Sequence, residues 1–275
     1  VIAGEGIGRE VVSAALRVVE ATGVGITWDH QLIGEDAVKV HGSPLPEVTL
    51  ASIRKNKVAL KGPTGTPPGS PDRSYNVQLR TIFDLYANVR PVKNMPGVET
   101  LFSGIPIDIV IFRENIEDLY VAEERLIPGG AEAIARITKA ECERIARFAF
   151  EYAVKHGRKK ITIVHKANVV KVIYGLFRDT AYAIGKEYPN IICNDMIIDN
   201  TTMQLVRNPD QFDCILAPNL FGDILSDLCA GLIGGLGFAP GANVGKDCAI
   251  FEAVHGTAPD IAGKGLANPT SIILS

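Results

Sequence analysis

Ile161-Thr162-Ile163-Val164 follows a long amphipathic stretch, Ala140 to His156, and this pairing decides the fold class. A short β-branched run reads as a strand, and the helical periodicity before it reads as a covering helix. The same alternation recurs along the chain, where Ile109-Val110-Ile111-Phe112 and Cys214-Ile215-Leu216-Ala217 are again separated by longer stretches. That is the pattern of an α/β protein with a largely parallel sheet, because parallel strands need long crossover connections. No internal repeat or low-complexity linker interrupts it, so a domain boundary must be crossed by ordered chain. Leu85 to Pro91, extended and ending in Arg-Pro, is the expected crossing.

The 275 residues suit two domains of about 100–150 residues each. With 47% hydrophobic and 21% charged residues and a formal charge of −3, the chain reads as a soluble, well-packed, enzyme-like protein. A nucleic-acid binder would need a concentrated basic face, so no nucleic-acid partner is expected. No apolar run approaches the ~20 residues of a membrane span, and no signal peptide is visible. Cys142, Cys193, Cys214, Cys229 and Cys248 are odd in number and scattered, so they read as buried thiols in a reducing compartment. The chain opens inside an apolar run, Val1-Ile2-Ala3, and stops at Ser271-Ile272-Ile273-Leu274-Ser275, which reads as the first turn of a core helix. Further elements are therefore expected on either side.

The strongest chemical signal is Asn219-Leu220-Phe221-Gly222-Asp223-Ile224-Leu225-Ser226-Asp227. Asp223 and Asp227 stand one helical turn apart on one face, and two like charges so placed call for a hard divalent cation. An acidic helix N-terminus explains Asp223 alone, but not Asp227 among Leu225, Leu228, Ala230 and Leu232. The Gly4-Glu5-Gly6-Ile7-Gly8 turn lacks the G-x-G-x-x-G spacing of a dinucleotide site and reads as a backbone requirement. A better nucleotide loop is His255-Gly256-Thr257-Ala258-Pro259-Asp260-Ile261-Ala262-Gly263-Lys264-Gly265. Ser74, Asn76 and Arg80 fall on a helix predicted after the Pro67-Pro68-Gly69-Ser70-Pro71 turn, while Arg90 and Arg113 each end an apolar extended run. A lone arginine is mostly a surface residue; three with short polar partners at element ends suggest a polyanionic small molecule, since guanidinium forks match carboxylates.

Arg113-Glu114-Asn115-Ile116-Glu117-Asp118-Leu119-Tyr120, His165-Lys166-Ala167-Asn168, the Asn219 to Asp227 run, Gly234-Gly235-Leu236-Gly237 and Glu252-Ala253-Val254-His255-Gly256-Thr257-Ala258-Pro259 occur in this order. In them the whole chain resembles the metal-dependent β-decarboxylating dehydrogenases of isocitrate, homoisocitrate and 3-isopropylmalate, NAD-dependent isocitrate dehydrogenases most of all. The resemblance implies a two-domain α/β fold of the isopropylmalate/isocitrate dehydrogenase type, with a sheet running through both domains and the active site in the cleft between them. The first domain, large and cofactor-binding, would comprise 1–86 plus 235–275; the second, 87–234, would dimerise through an arm after Tyr120. Homodimers with shared active sites are implied, Lys166 and Asp199 acting across the interface. Mg²⁺ or Mn²⁺ would be held by Asp223, Asp227 and the partner's Asp199. Arg80, Arg90, Arg113 and Asn168 would bind substrate, Lys166 would help remove the hydroxyl proton, and Tyr120 would protonate the enolate left by CO₂.

In isocitrate enzymes a serine and an asparagine at the places of Ser74 and Asn76 receive the γ-carboxylate, and such donors would be unsatisfied against an isopropyl group. NAD is the implied cofactor, with Thr66, His255, Gly256, Thr257, Ala258, Asp260, Ile261 and Asn268 at its site. The NADP members resemble one another in carrying Lys-Tyr at the place of Asp260-Ile261, and a carboxylate there suits two free ribose hydroxyls. Two departures stand against the isocitrate reading: Val121-Ala122-Glu123-Glu124-Arg125 is closer to homoisocitrate enzymes, and Gly65 replaces a common polar residue. Homoisocitrate is thus the runner-up, then 3-isopropylmalate; a non-catalytic regulatory subunit is the alternative from another class. A bacterial cytoplasm is expected ahead of a mitochondrial matrix.

Overall fold

Helix α1 (Gly8–Ala21) buries Val11, Val12 and Ala15 on one face, against Ala253 and Ile272 from the far end of the chain. The structure is a computed structural model that describes residues 1–65 and 74–275. Two compact units result, one of Val1–Leu85 with Gly235–Ser275 and one of Tyr86–Gly234. The first unit continues with α2 (Glu35–His41), α3 (Glu47–Asn56), β1 (Val58–Lys61) and α4 (Tyr75–Ile82). The second holds β2 (Ala87–Lys93), β3 (Asp108–Glu114), β4 (Asp118–Ile127), β5 (Gly130–Arg136), α5 (Lys139–Lys155), β6 (Lys160–His165), α6 (Lys171–Gly185), β7 (Ile192–Ile197), α7 (Ile198–Arg207), β8 (Cys214–Ala217) and α8 (Asn219–Leu232). The chain then returns to the first unit with β9 (Pro240–Val244), β10 (Ala249–Ala253) and α9 (Thr270–Leu274).

In the first unit β10 lies between a parallel β1 and an antiparallel β9, and Lys61 stands directly opposite Glu252. In the second the strand order is β2-β3-β8-β6-β7, with only the β2–β3 pair antiparallel. The apolar runs of β3, β6 and β8 are its buried centre. Helix α5 covers them with Cys142, Ile145, Ala146, Ala149, Phe150 and Ala153 at helical spacing, and Thr138 caps it through the Glu141 amide. The fold is α/β. Strands β4 and β5 form a separate antiparallel hairpin that exposes Leu126 and Ile134.

Two expectations need correction. Arg90 does not end a strand; it sits within β2, opposite Ile111. Cys142, Cys214 and Cys229 are buried, but Cys193 and Cys248 are only partly so. Burial pushes the Cys142, Cys214 and Cys229 thiols up to about 12 and Cys193 to about 11, which leaves them poor nucleophiles. Among the described residues no helix is long and apolar enough to cross a membrane.

Candidate active site

The second unit brings Arg90, Arg113, Tyr120, Asp223 and Asp227 together. Arg113 is carried to the end of β3 with 1% of its surface exposed, and its guanidinium is fixed from α8: Nε and Nη2 donate to Asn219 Oδ1 at 2.9 and 2.7 Å, and Nη1 donates to Asp223. This approach depends on Gly222, since a Cβ there would lie 2.6 Å from both Cβ and Cγ of Arg113. The Tyr120 hydroxyl donates to the other oxygen of Asp223, and Arg113 lies over the Tyr120 ring, 5.0 Å from its centroid. Arg90 donates to Asn88 Oδ1 at 2.8 Å and Ser226 Oγ at 3.3 Å, and its Nη1 stands 3.7 Å from Asp227.

Guanidinium groups therefore face both carboxylates, which relieves part of the repulsion that argued for a metal. Enough capacity remains for one. Asp227 has a half-exposed side chain and its ion pair is long, and burial pushes its carboxyl up, opposed by Arg90 and reinforced by Asp223. Two carboxylates on one helix face are the oxygen ligands that a hard divalent cation takes. Asp199 stands elsewhere, at the start of α7, where Lys166 Nζ donates to it at 2.6 Å. Among the described residues of one chain, no group of three or more His, Cys, Asp or Glu is placed to hold a metal. Asn168 is exposed, in the turn after β6.

The first unit carries the remaining candidates. Ser74 occupies the N-cap of α4 but makes no side-chain cap bond, and Asn76 accepts from Thr64 Oγ1 at 3.3 Å. Arg80 is buried 3.9 Å from Glu252, which also pairs with Lys61 at 2.7 Å and accepts from Asn243 at 2.7 Å. Burial alone would push the Glu252 carboxyl up, but Lys61, Arg80 and Asn243 hold it down at about 2. The loop from His255 meets the glycine turn at the other end of the sequence: Ile7 donates to the Thr257 carbonyl at 2.9 Å, and a Cβ on Gly6 would lie 2.0 Å from that oxygen. Both segments line a cavity of about 470 Å³ with Glu35, Gly65 and Tyr75. His255 Nδ1 lies 3.0 Å from the Gly256 carbonyl, and Nε2 is buried without a partner in the described structure. Ala258 adopts φ +38°. Asp260 is exposed and Ile261 half-buried, whereas Asn268 accepts the Thr270 amide at 3.0 Å and so starts α9. Thr66 lies outside the described residues.

Several contributors escaped the sequence reading. Glu5 accepts the amides of Gly65 at 2.7 Å and Glu35 at 2.9 Å, joining the glycine turn to the cavity. Glu114, pushed up to about 7 by burial, accepts the amides of Ile116 and Glu117 and shapes the turn leading to Tyr120. Glu252 had a visible signal, an acid inside the apolar run Ala249-Ile250-Phe251-Glu252-Ala253.

Two carboxylates on one helix, faced by two buried arginines and a phenol on an α/β frame, form a charged cluster of the kind found at enzyme active sites. The chain belongs to the isocitrate/isopropylmalate dehydrogenase family, whose model matches residues 1–275. Members are β-decarboxylating dehydrogenases that use a nicotinamide cofactor and a divalent metal. A 3-isopropylmalate dehydrogenase of Methanothermobacter thermautotrophicus is 48% identical over 100% of this chain and 82% of its own length. An NADP isocitrate dehydrogenase of Thermus thermophilus is 47% identical over 100% of the chain and 56% of its own length. The crystal structure of an isocitrate dehydrogenase from Methylococcus capsulatus superposes with a TM-score of 0.95 at 52% identity, covering 99% of this chain and 81% of that one. Relatives named as NAD isocitrate dehydrogenase subunits, catalytic and regulatory, also match.

Proposed function

We propose that the protein oxidatively decarboxylates isocitrate to 2-oxoglutarate and CO₂, passing a hydride to NAD with the help of Mg²⁺ or Mn²⁺. The observation that carries the substrate is Ser74, a serine at a helix N-cap whose hydroxyl caps nothing. A donor at a helix N-terminus suits a carboxylate, and beside Asn76 it suits the γ-carboxylate of isocitrate better than an alkyl group. Val121 to Arg125, the segment that favours homoisocitrate, lies on the β4–β5 hairpin and is largely exposed, so its resemblance carries less weight.

Arg80, Arg90 and Arg113 bind carboxylates. Lys166 receives the proton of the 2-hydroxyl as hydride leaves for the nicotinamide, and Tyr120, its hydroxyl already aimed by Asp223, returns a proton to carbon after CO₂ departs. The metal, held by Asp223, Asp227 and the partner's Asp199, supplies Lewis-acid stabilisation of the negative charge on the substrate oxygens. Lys166 and Asp199, joined to one another, serve the partner's site, and the exposed Leu126 and Ile134 of the hairpin are buried in the homodimer. His255 to Ile261 hold the cofactor. NAD is favoured by the exposed Asp260 and by a second cavity of about 430 Å³ lined by Glu5, Glu10, Glu35 and Asp36 against Arg9 and Lys39, both already paired with Asp36. A 2′-phosphate would meet net negative charge there.

The relative named 3-isopropylmalate dehydrogenase keeps that substrate as the second reading. Rates with isocitrate, homoisocitrate and 3-isopropylmalate, each with NAD and NADP, decide between them, and turnover by the protein expressed alone excludes a regulatory subunit. Ser74→Asp should nearly abolish isocitrate oxidation: at about 4 Å and an effective dielectric of ~20, like charges repel by roughly 4 kcal/mol, near a thousandfold in binding. Unchanged kinetics in that variant would remove Ser74 from the site.

A further inference from the structure

Strand β6 ends at His165, and the next residues are Lys166, Ala167 and Asn168. The His165 ring is 3% exposed and held at both nitrogens. Its Nε2 lies 2.8 Å from Asp195 Oδ2, and its Nδ1 accepts the backbone N–H of Ala167 at 3.0 Å. Because a peptide N–H can only donate, Nδ1 must present its lone pair, and the ring proton sits on Nε2, donated to Asp195. The tautomer is thus fixed by the backbone. On the neighbouring β7, Ile197 is the register partner of His165, which places Asp195, two residues earlier, on the same face. The second Asp195 oxygen accepts the Tyr182 hydroxyl from α6. Burial pushes the Asp195 carboxyl up, yet the bonds from Tyr182 and His165 bring it below the usual carboxylate range, so it is an anion matched to two donors.

We propose that His165 is a positioning residue: through Asp195 and Tyr182 it anchors the Ala167 amide to the sheet and so fixes the turn that presents Lys166 and Asn168. The Lys166 side chain makes one ion pair, to an exposed Asp199, so its aim depends on the backbone beneath it. A line of three side chains runs from α6 across β7 to that backbone. Its last bond is to the amide between the two residues in question.

The functional part of the inference rests on Lys166 acting in catalysis, and the test separates the two. In His165→Asn the side-chain oxygen takes the place of Nδ1 and still accepts from Ala167; in His165→Gln the amide reaches the place of Nε2, still donates to Asp195, and leaves the Ala167 amide unpaired. The expected result is a loss of about tenfold to a hundredfold in kcat for His165→Gln, with KM for NAD unchanged, because a small misplacement of a reacting group is that expensive. His165→Asn should keep kcat within about threefold. Amide hydrogen exchange at Ala167 should quicken in His165→Gln and stay slow in His165→Asn. Equal exchange in the two variants, or equal kcat losses that follow thermal midpoint, would overturn the proposal. Lys166→Met is the control: if it still turns over, the catalytic reading fails and Ala167 exchange alone decides whether His165 is the anchor.

Discussion

Each unit of the molecule sets carboxylate against basic side chains, and the two clusters are finished to different degrees. In the first unit Glu252 is closed: Lys61 and Asn243 hold its oxygens at 2.7 Å each, Arg80 stands at 3.9 Å, and the carboxyl is held down at about 2. In the second unit Asp223 and Asp227 are open, with half-exposed side chains, and Asp227 is pushed up, first by burial and further by Asp223 against the pull of Arg90. A closed cluster has already spent its charge on the fold, and one-sided deletion leaves a buried charge unpaired. An open cluster keeps carboxylate oxygens within reach of a ligand from solvent. The comparison teaches that burial and completeness of pairing, rather than the presence of an ion pair, separate scaffold from chemistry.

The largest expected effect attacks the open cluster. If Asp223 holds the proposed metal, Asp223→Asn should lower turnover by about a thousandfold or more and raise the Mg²⁺ or Mn²⁺ concentration needed, because it removes a carboxylate oxygen from the proposed metal site and the acceptor of the Tyr120 hydroxyl together. The change also takes the counter-charge from the buried Arg113 guanidinium, so the thermal midpoint should fall while circular dichroism stays that of a folded protein, and turnover is compared at a temperature where the variant is fully folded. Full turnover in EDTA would sink the metal assignment, and loss of folding would show that this cluster is structural too.

The closed cluster should answer in stability. Glu252→Gln leaves Lys61 buried without its counter-charge, and breaking a buried pair from one side costs about 3–5 kcal/mol, roughly 10 °C in thermal midpoint. The pH dependence has a definite sign. The folded carboxyl lies at about 2, below its ordinary 4.5, so its contribution is complete above pH 4.5 and is lost as pH falls toward 2. Denaturant midpoints taken down that range should fall in the parent and converge with those of Glu252→Gln. Parallel curves would show that Glu252 is not the titrating group.

How far the sequence carried this picture follows the same division. Strands β3, β6 and β8 and helix α5 announce themselves because each is apolar at a single period, and the α/β class follows from their alternation. Asp223 with Asp227 was legible because a helix converts spacing into proximity. Glu252 opposite Lys61 was not, since that pairing exists only once β1 and β10, distant in sequence, are brought into register. Glu5 was missed for a related reason: it acts on the amides of Gly65 and Glu35, and backbone groups leave no mark on side-chain patterns. Strand β4 was hidden by composition, because Glu123-Glu124-Arg125 shows neither alternation nor an apolar face, and its pairing with β5 supplies what periodicity lacks.

The smallest expected stability effect probes how the open cluster is held. Gly222 and Gly231 share helix α8, but a Cβ at Gly222 would meet Arg113 at 2.6 Å, whereas one at Gly231 has nothing within 4 Å. Gly222→Ala should destabilise by about 1–3 kcal/mol, the usual cost of overpacking, by forcing α8 away from β3. Gly231→Ala should be neutral or stabilising by about 0.4–1 kcal/mol, because it only restricts the unfolded chain. Turnover should separate the pair further. Moving α8 shifts Asp223 relative to Arg113 and Tyr120, so Gly222→Ala should lose about tenfold to a hundredfold in kcat at a temperature where it is fully folded, while Gly231→Ala keeps the parent rate. Equal turnover in the two variants would mean that the close packing of α8 on β3 serves stability alone, and the open cluster would then tolerate the looseness that its half-exposed carboxylates suggest.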